Sequence, residues 1–248
     1  MKIIEIPLVN GLNKTKGVEE APKKILKNID SEEIYFGERD LIEINELIYK
    51  KVFESFKEKL LFVGGDHSSS FPLTRAFFNY TENEGKEPCL IIFDAHPDLM
   101  EPVDKKIPTH EEWLRALIEY GFPIKNILLV GVRNIDPAEK KFMGEKIRSI
   151  SIEELMFDLE AKTDAIMEFG YGKDVYVSID IDFVDPAYAP GTGYCEPGGV
   201  SSKEFLYILR RISKMKNLRA VDLVEINPSK DEGNKTVELG RRIVKQFL

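Results

Sequence analysis

Short runs that are apolar on consecutive residues constrain this chain more than any other feature. Leu60–Val63 (LLFV), Leu90–Phe93 (LIIF) and Ile127–Val130 (ILLV) have no polar face. Such runs suit strands covered on both sides, as in a parallel sheet. Further strand candidates are KIIEI from Lys2, VYVSID from Val175 and LRAVDLVEI from Leu218, with weaker ones at IYFG from Ile34 and IRSI from Ile147. Helical patterns stand between them: DLIEINELIYKKVFESFKEKL from Asp40, THEEWLRALIEYG from Thr109, SKEFLYILRRISKM from Ser202 and VELGRRIVKQF from Val237. The alternation predicts an α/β fold, three-layer α/β/α with a mainly parallel sheet of about eight strands. No repeat or low-complexity linker interrupts it, and 248 residues fit a single domain over 1–248.

Ligands bind beyond the carboxyl ends of strands in such folds. Four strand ends here carry unusual chemistry. GGDHSSS (Gly64 to Ser70) follows LLFV, and DAHPD (Asp94 to Asp98) follows LIIF. VYVSIDIDFVDP contains Asp180, Asp182 and Asp185, and AVDLVEINP contains Glu225. The fold therefore expects all four at one edge of the sheet.

His67, Asp94, His96, Asp98, Asp180 and Asp182 make a set of two imidazoles and four carboxylates. Clustered carboxylates cannot all stay ionised without a strong countercharge. Two divalent cations would balance the four acids. Oxygen-rich ligation with some imidazole and no thiolate favours a hard or borderline metal such as Mn²⁺ over structural zinc. Bridging carboxylates would hold two metals roughly 3.5–4 Å apart, close enough to share one hydroxide. Of the three histidines, His67, His96 and His110, the first two fall inside these motifs.

Composition narrows the partners. A formal net charge of -8 argues against nucleic acid and anionic membranes and suits a cationic small molecule. Two cysteines, Cys89 and Cys195, imply no disulfide framework and lead us to expect a reducing cytoplasm. The N-terminal MKIIEIPLV reads as a first strand rather than a signal peptide, and no run approaches the length of a membrane span.

The motifs resemble those of the ureohydrolase family, which includes arginase, agmatinase and formiminoglutamase. The family pattern of GGDHS, DAHxD and SxDxDxxDP is intact from Gly64, Asp94 and Ser178. GVEEAP from Gly17, APGTGYCEPGG from Ala189 and DLVEINP from Asp222 are also similar to family segments, so the resemblance covers nearly the whole chain. It implies two Mn²⁺ ions per subunit and a homo-oligomer, a trimer or hexamer. One ion would be held by His67, Asp94, Asp98 and Asp180. The other would be held by His96 and Asp182, with Asp94 and Asp180 bridging. A metal-bridging hydroxide would attack a guanidinium carbon, giving urea and an amine. The resemblance further implies that Glu225 binds the guanidinium and that His110 shuttles protons to the leaving amine. Asp136, in GVRNIDPAE, matches a position that contacts the substrate amine.

The residues themselves leave alternatives open. Glu225 could pair with a nearby Arg or Lys. Thr109 and Glu112 fit a capping box that would set His110 at a helix N-terminus. Asp136-Pro137 is an ordinary helix start. Cys195 reads as a small packed thiol rather than a nucleophile. Trp113 and Tyr188 carry no functional signal above packing.

Departures from the family bear on substrate. Arginases have a carboxylate-binding Asn two residues past DAHxD, where this chain has Met100, which cannot usefully hydrogen-bond a carboxylate. Tyr194 and Cys195 replace Thr-Pro beside the site, and Glu111 follows His110 where the family commonly has Gly. Glu196 is agmatinase-like. Agmatine is therefore the expected substrate, and Tyr194 is a candidate binding residue. Lys105 and Lys106 keep arginine or a guanidino acid open. A formiminoglutamase activity, a metallophosphoesterase and a non-catalytic metal-binding paralogue are the competing readings. Three histidines are few for a metallophosphoesterase.

Overall fold

The computed structural model describes residues 1–11 and 15–248. Among them, eight strands form one sheet: β1 (Lys2–Ile6), β2 (Glu32–Glu33), β3 (Leu60–Gly64), β4 (Pro88–Phe93), β5 (Ile127–Val130), β6 (Arg148–Ile150), β7 (Asp174–Asp180) and β8 (Leu218–Val224). Their order is β2-β1-β3-β8-β7-β4-β5-β6. Every strand pairing is parallel, so the sheet goes further than the mainly parallel one expected.

Consecutive apolar residues along a strand serve opposite helical layers. In β4, Cys89, Ile91 and Phe93 pack on one side and Leu90 and Ile92 on the other. The first layer includes Phe205, Ile208 and Leu209 of helix Ser202–Ile212 and Val237 and Ile243 of helix Lys235–Val244. The second includes Ile44 and Ile48 of helix Leu41–Ser55, Phe77 of helix Ser70–Asn83 and Trp113 and Leu117 of helix Trp113–Tyr120. Reciprocal capping boxes start two of these helices, Asp40 with Glu43 and Ser201 with Glu204.

Three boundaries differ from the sequence reading. The IYFG strand is displaced to Glu32–Glu33; Ile34 still donates to the Glu5 carbonyl at 3.1 Å, and the chain then turns at Gly37, whose φ is 61°. The long pattern from Asp40 stops being helical at Ser55 and yields Leu60 to β3. The helix expected from Thr109 begins at Trp113. Only half the box forms: the Glu112 carboxylate accepts the Thr109 amide at 3.1 Å, and Glu112 N–H donates to the Thr109 carbonyl at 3.2 Å. His110 therefore lies in a turn before the helix. Among the described residues no helix is long and apolar enough to cross a membrane.

Strands β3, β8, β7, β4 and β5 are neighbours in this order, so the segments leaving their carboxyl ends converge. Those segments carry the six ligand candidates, Glu225 and Asp136.

Candidate metal centre

Two groups of ligand atoms meet above the strand ends. His67, Asp94 and Asp98 form one, and Asp94, His96 and Asp182 form the other. Asp94 belongs to both. His67 Nδ1 lies 3.0 Å from Asp94 Oδ2, 2.9 Å from Asp98 Oδ2 and 3.3 Å from Asp180 Oδ2. His96 Nδ1 lies 2.9 Å from Asp182 Oδ2 and 3.6 Å from Asp94 Oδ1. Asp180 belongs to neither group of three but approaches the first through Oδ2, while its Oδ1 accepts the Asp182 amide at 2.8 Å.

Local backbone structure aims these groups. Asp94 Oδ1 accepts the His96 amide at 2.6 Å, and Asp182 Oδ1 accepts the Ala95 amide at 3.0 Å. Asp98 adopts a left-handed φ of 52°, a strained state for a non-glycine residue that concentrates at functional sites.

The donor set fits a pair of divalent cations. All four carboxylates are buried. Burial and the neighbouring Asp94 charge push Asp98 up to about 7. Burial, then Asp182 and Asp94, drive Asp180 well above the carboxylate range. Burial opposes charging of His67, but Asp180, Asp94 and Asp98 overcome it and raise its pKa. In hydrogen-bonding terms, His67 Nδ1 and Asp94 Oδ2 are buried orphans. A cluster so short of positive charge, with orphaned donor atoms facing inward, suits metal ions.

A cavity of about 350 Å³ opens over the cluster, lined in part by Met100, His110, Glu111, Asp136, Tyr194 and Glu225. No Lys or Arg lines it among the described residues. Glu225 is buried and left-handed, with φ 62°. Its Oε1 accepts the His67 amide at 2.9 Å and lies 3.4 Å from His110 Nδ1. Its Oε2 has no hydrogen-bond partner. Its neighbour is therefore His110, not the Arg or Lys considered from sequence. His110 is 4% exposed, which rejects a surface histidine. Burial works against its charge, but Glu225 lifts it to about 9.

A sequence profile described as the Arginase family matches residues 1–248. The chain belongs to the arginase family. It is 34% identical to mitochondrial arginase 1 of Oryza sativa subsp. indica over 183 residues, covering 73% of this chain and 52% of that protein. It therefore spans about half the length of this plant relative. It is 30% identical to an agmatinase of Halalkalibacterium halodurans over 242 residues, covering 94% of this chain and 80% of that one. The fold superposes on a formimidoylglutamase of Bacillus subtilis with a TM-score of 0.91 at 19% identity, over 99% of this chain and 85% of the other.

In this arginase-family chain, Asp136 lines the cavity and also starts helix Pro137–Met143, where its Oδ1 accepts the Ala138 amide at 2.7 Å. Both sequence readings of Asp136 are thus compatible with its place. Cys195 is exposed rather than packed. Lys105 pairs with Glu119 at 2.8 Å and does not line the cavity.

Several supporting residues escaped the sequence reading. Trp113, taken as packing only, donates its indole N–H to Asp98 Oδ2 at 2.7 Å, and its ring centroid lies 4.7 Å from that of His67. Asp222 is fully buried in β8 and accepts from Ser70, Tyr176 and Ser178 hydroxyls at 2.8, 2.8 and 2.6 Å. Ser178 Oγ is 2.9 Å from His67 Nε2, so this network fixes the ring from behind. Glu139 accepts the Leu99 amide at 2.9 Å and the Asp136 amide at 3.0 Å, tying the Asp98 loop to the Asp136 helix. A carboxylate inside an apolar strand (AVDLV) was the available signal for Asp222; Trp113 offered none.

Proposed function

We propose that this chain is a binuclear manganese-dependent hydrolase of a linear guanidine, converting agmatine to putrescine and urea. In this reading residues 1–248 form one ureohydrolase domain that works as a cytoplasmic homo-oligomer. The observation that carries it is the pair of ligand clusters sharing Asp94 beneath an acid-lined cavity whose described walls include no Lys or Arg.

His67, Asp94, Asp98 and Asp180 would hold one Mn²⁺; His96 and Asp182, with Asp94 and Asp180, would hold the other. A bound metal pair supplies a nucleophile at neutral pH by lowering the pKa of water. The remaining roles belong to side chains. Glu225 Oε2, buried and unpartnered, binds the guanidinium, since a planar cation satisfies an orphaned carboxylate oxygen. His110, raised above its ordinary range by Glu225, stands between Glu225 and Tyr194 on the cavity wall, placed to pass a proton to the leaving amine. Met100 offers an apolar wall where a carboxylate clamp would be needed for arginine.

The test is product release by Mn²⁺-reconstituted protein from agmatine, arginine and 4-guanidinobutyrate (urea) and from formiminoglutamate (formamide). Agmatine is expected to give a kcat/KM at least about tenfold above each of the others, the effect of one well-placed charge contact. Preference for arginine would overturn the substrate, and silence on all four would overturn the activity.

A further inference from the structure

Two positions where this chain departs from the family pattern touch one another. Tyr194, in place of Thr, donates its hydroxyl to Oε1 of Glu111, in place of Gly, at 3.1 Å. Both side chains line the cavity. A bare glycine offers no group to a ligand, and a threonine is too short to reach as a tyrosine does. The pair therefore adds a held carboxylate to a wall where the family pattern has none.

We propose that Glu111, oriented by Tyr194, is the receptor for a cationic group at the far end of the substrate, so that the enzyme selects guanidines carrying a terminal ammonium. This rests on the guanidine-hydrolase reading and specifies its substrate class. The Glu111 backbone is fixed, since its carbonyl accepts the Met100 amide at 3.0 Å. The carboxylate is held by Tyr194, whose hydroxyl donates to Oε1. Lys105 and Arg115 are engaged elsewhere, both with Glu119, at 2.8 and 3.1 Å. The half-exposed Glu111 side chain faces the cavity, where His110 is its one charged neighbour among the described residues, with Nε2 3.6 Å from Oε1.

The placement suits a two-ended ligand. Glu225 Oε1 lies 3.4 Å from Nδ1 of His110, and Glu111 Oε1 lies 3.6 Å from Nε2 of the same ring. The two carboxylates thus stand on opposite sides of one imidazole. A short alkyl chain would join a guanidinium at Glu225 to an ammonium at Glu111, and Met100 and Ile135 give the same cavity apolar wall. A terminal carboxylate at that end would meet Glu111 with like charge.

Three four-carbon guanidines differing only at the far end test this: agmatine (ammonium), n-butylguanidine (methyl) and 4-guanidinobutyrate (carboxylate). Mn²⁺-loaded wild type should prefer them in that order by kcat/KM. Glu111→Gln should lower the agmatine-to-butylguanidine ratio roughly 10–100-fold, mainly through KM, as expected for loss of a charge-assisted contact. Glu111→Lys should move the preference towards 4-guanidinobutyrate, and Tyr194→Phe should lower the ratio less than Glu111→Gln does. Equal losses on all three substrates in Glu111→Gln, or an unchanged ratio, would overturn the proposal. If no guanidine is turned over, calorimetric binding of agmatine and butylguanidine to the Mn²⁺-loaded proteins still reads the subsite. A wild-type preference for agmatine that survives in Glu111→Gln would then reject it while the activity fails separately.

Discussion

Replacing Asp94 by alanine should remove both metals together and lower guanidine hydrolysis by about 10³-fold or more, the scale of losing metal activation of water. Asp94 is the residue common to the two clusters: Oδ2 faces His67 and Oδ1 faces His96. Asp98→Ala should instead leave the second cluster, Asp94 with His96 and Asp182, able to keep its ion. Metal content after gel filtration reads the difference: near zero for Asp94→Ala and closer to one per chain for Asp98→Ala. Circular dichroism separates ligand loss from unfolding. Equal metal content in the two variants would reject Asp94 as the shared ligand.

Glu225→Gln should cost roughly 10²–10³-fold in kcat/KM, because a buried cation then faces a neutral amide. The substitution preserves the shape of the side chain and its acceptor for the His67 amide, now 2.9 Å from Oε1. It removes the charge that lifts His110 to about 9. In chelator-treated protein, NMR should therefore find His110 titrating near 9 in wild type and closer to 6.5 in the variant. The folded value lies above the ordinary one. The ion pair thus stabilises wild type fully below about 6.5 and loses that contribution as pH rises through about 9. This part of the pH dependence should disappear in Glu225→Gln. An unchanged His110 titration would reject the pairing.

Sequence alone reaches far here because the decisive signals are local. LIIF followed by DAHPD marks both a doubly covered strand and candidate ligands at its end; β4 is that strand, and Asp94, His96 and Asp98 stand clustered with His67 and Asp182 beyond it. Parallel pairing then brings distant segments to one edge, so that His67 and Asp180, far apart in the chain, lie 3.3 Å apart. What escaped depends on contacts that no local pattern encodes. Trp113 reads as an ordinary apolar position on an amphipathic helix, yet the left-handed turn at Asp98 swings a carboxylate onto its indole N–H. The Thr109–Glu112 box looks complete in sequence, but only Glu112 closes it. Cys195 looks like a packing residue by type and proves exposed, because the loop that holds Tyr194 over His110 turns the next residue outward.

The two clusters are expected to hold two metal ions through a shared Asp94. Anomalous diffraction at the manganese edge from crystals grown with MnCl₂ tests it most directly. Two peaks about 3.5–4 Å apart are expected, with Asp94 reaching both. His67 and Asp98 should approach one peak, and His96 and Asp182 the other. A single peak, or two peaks that share no ligand, would contradict the account.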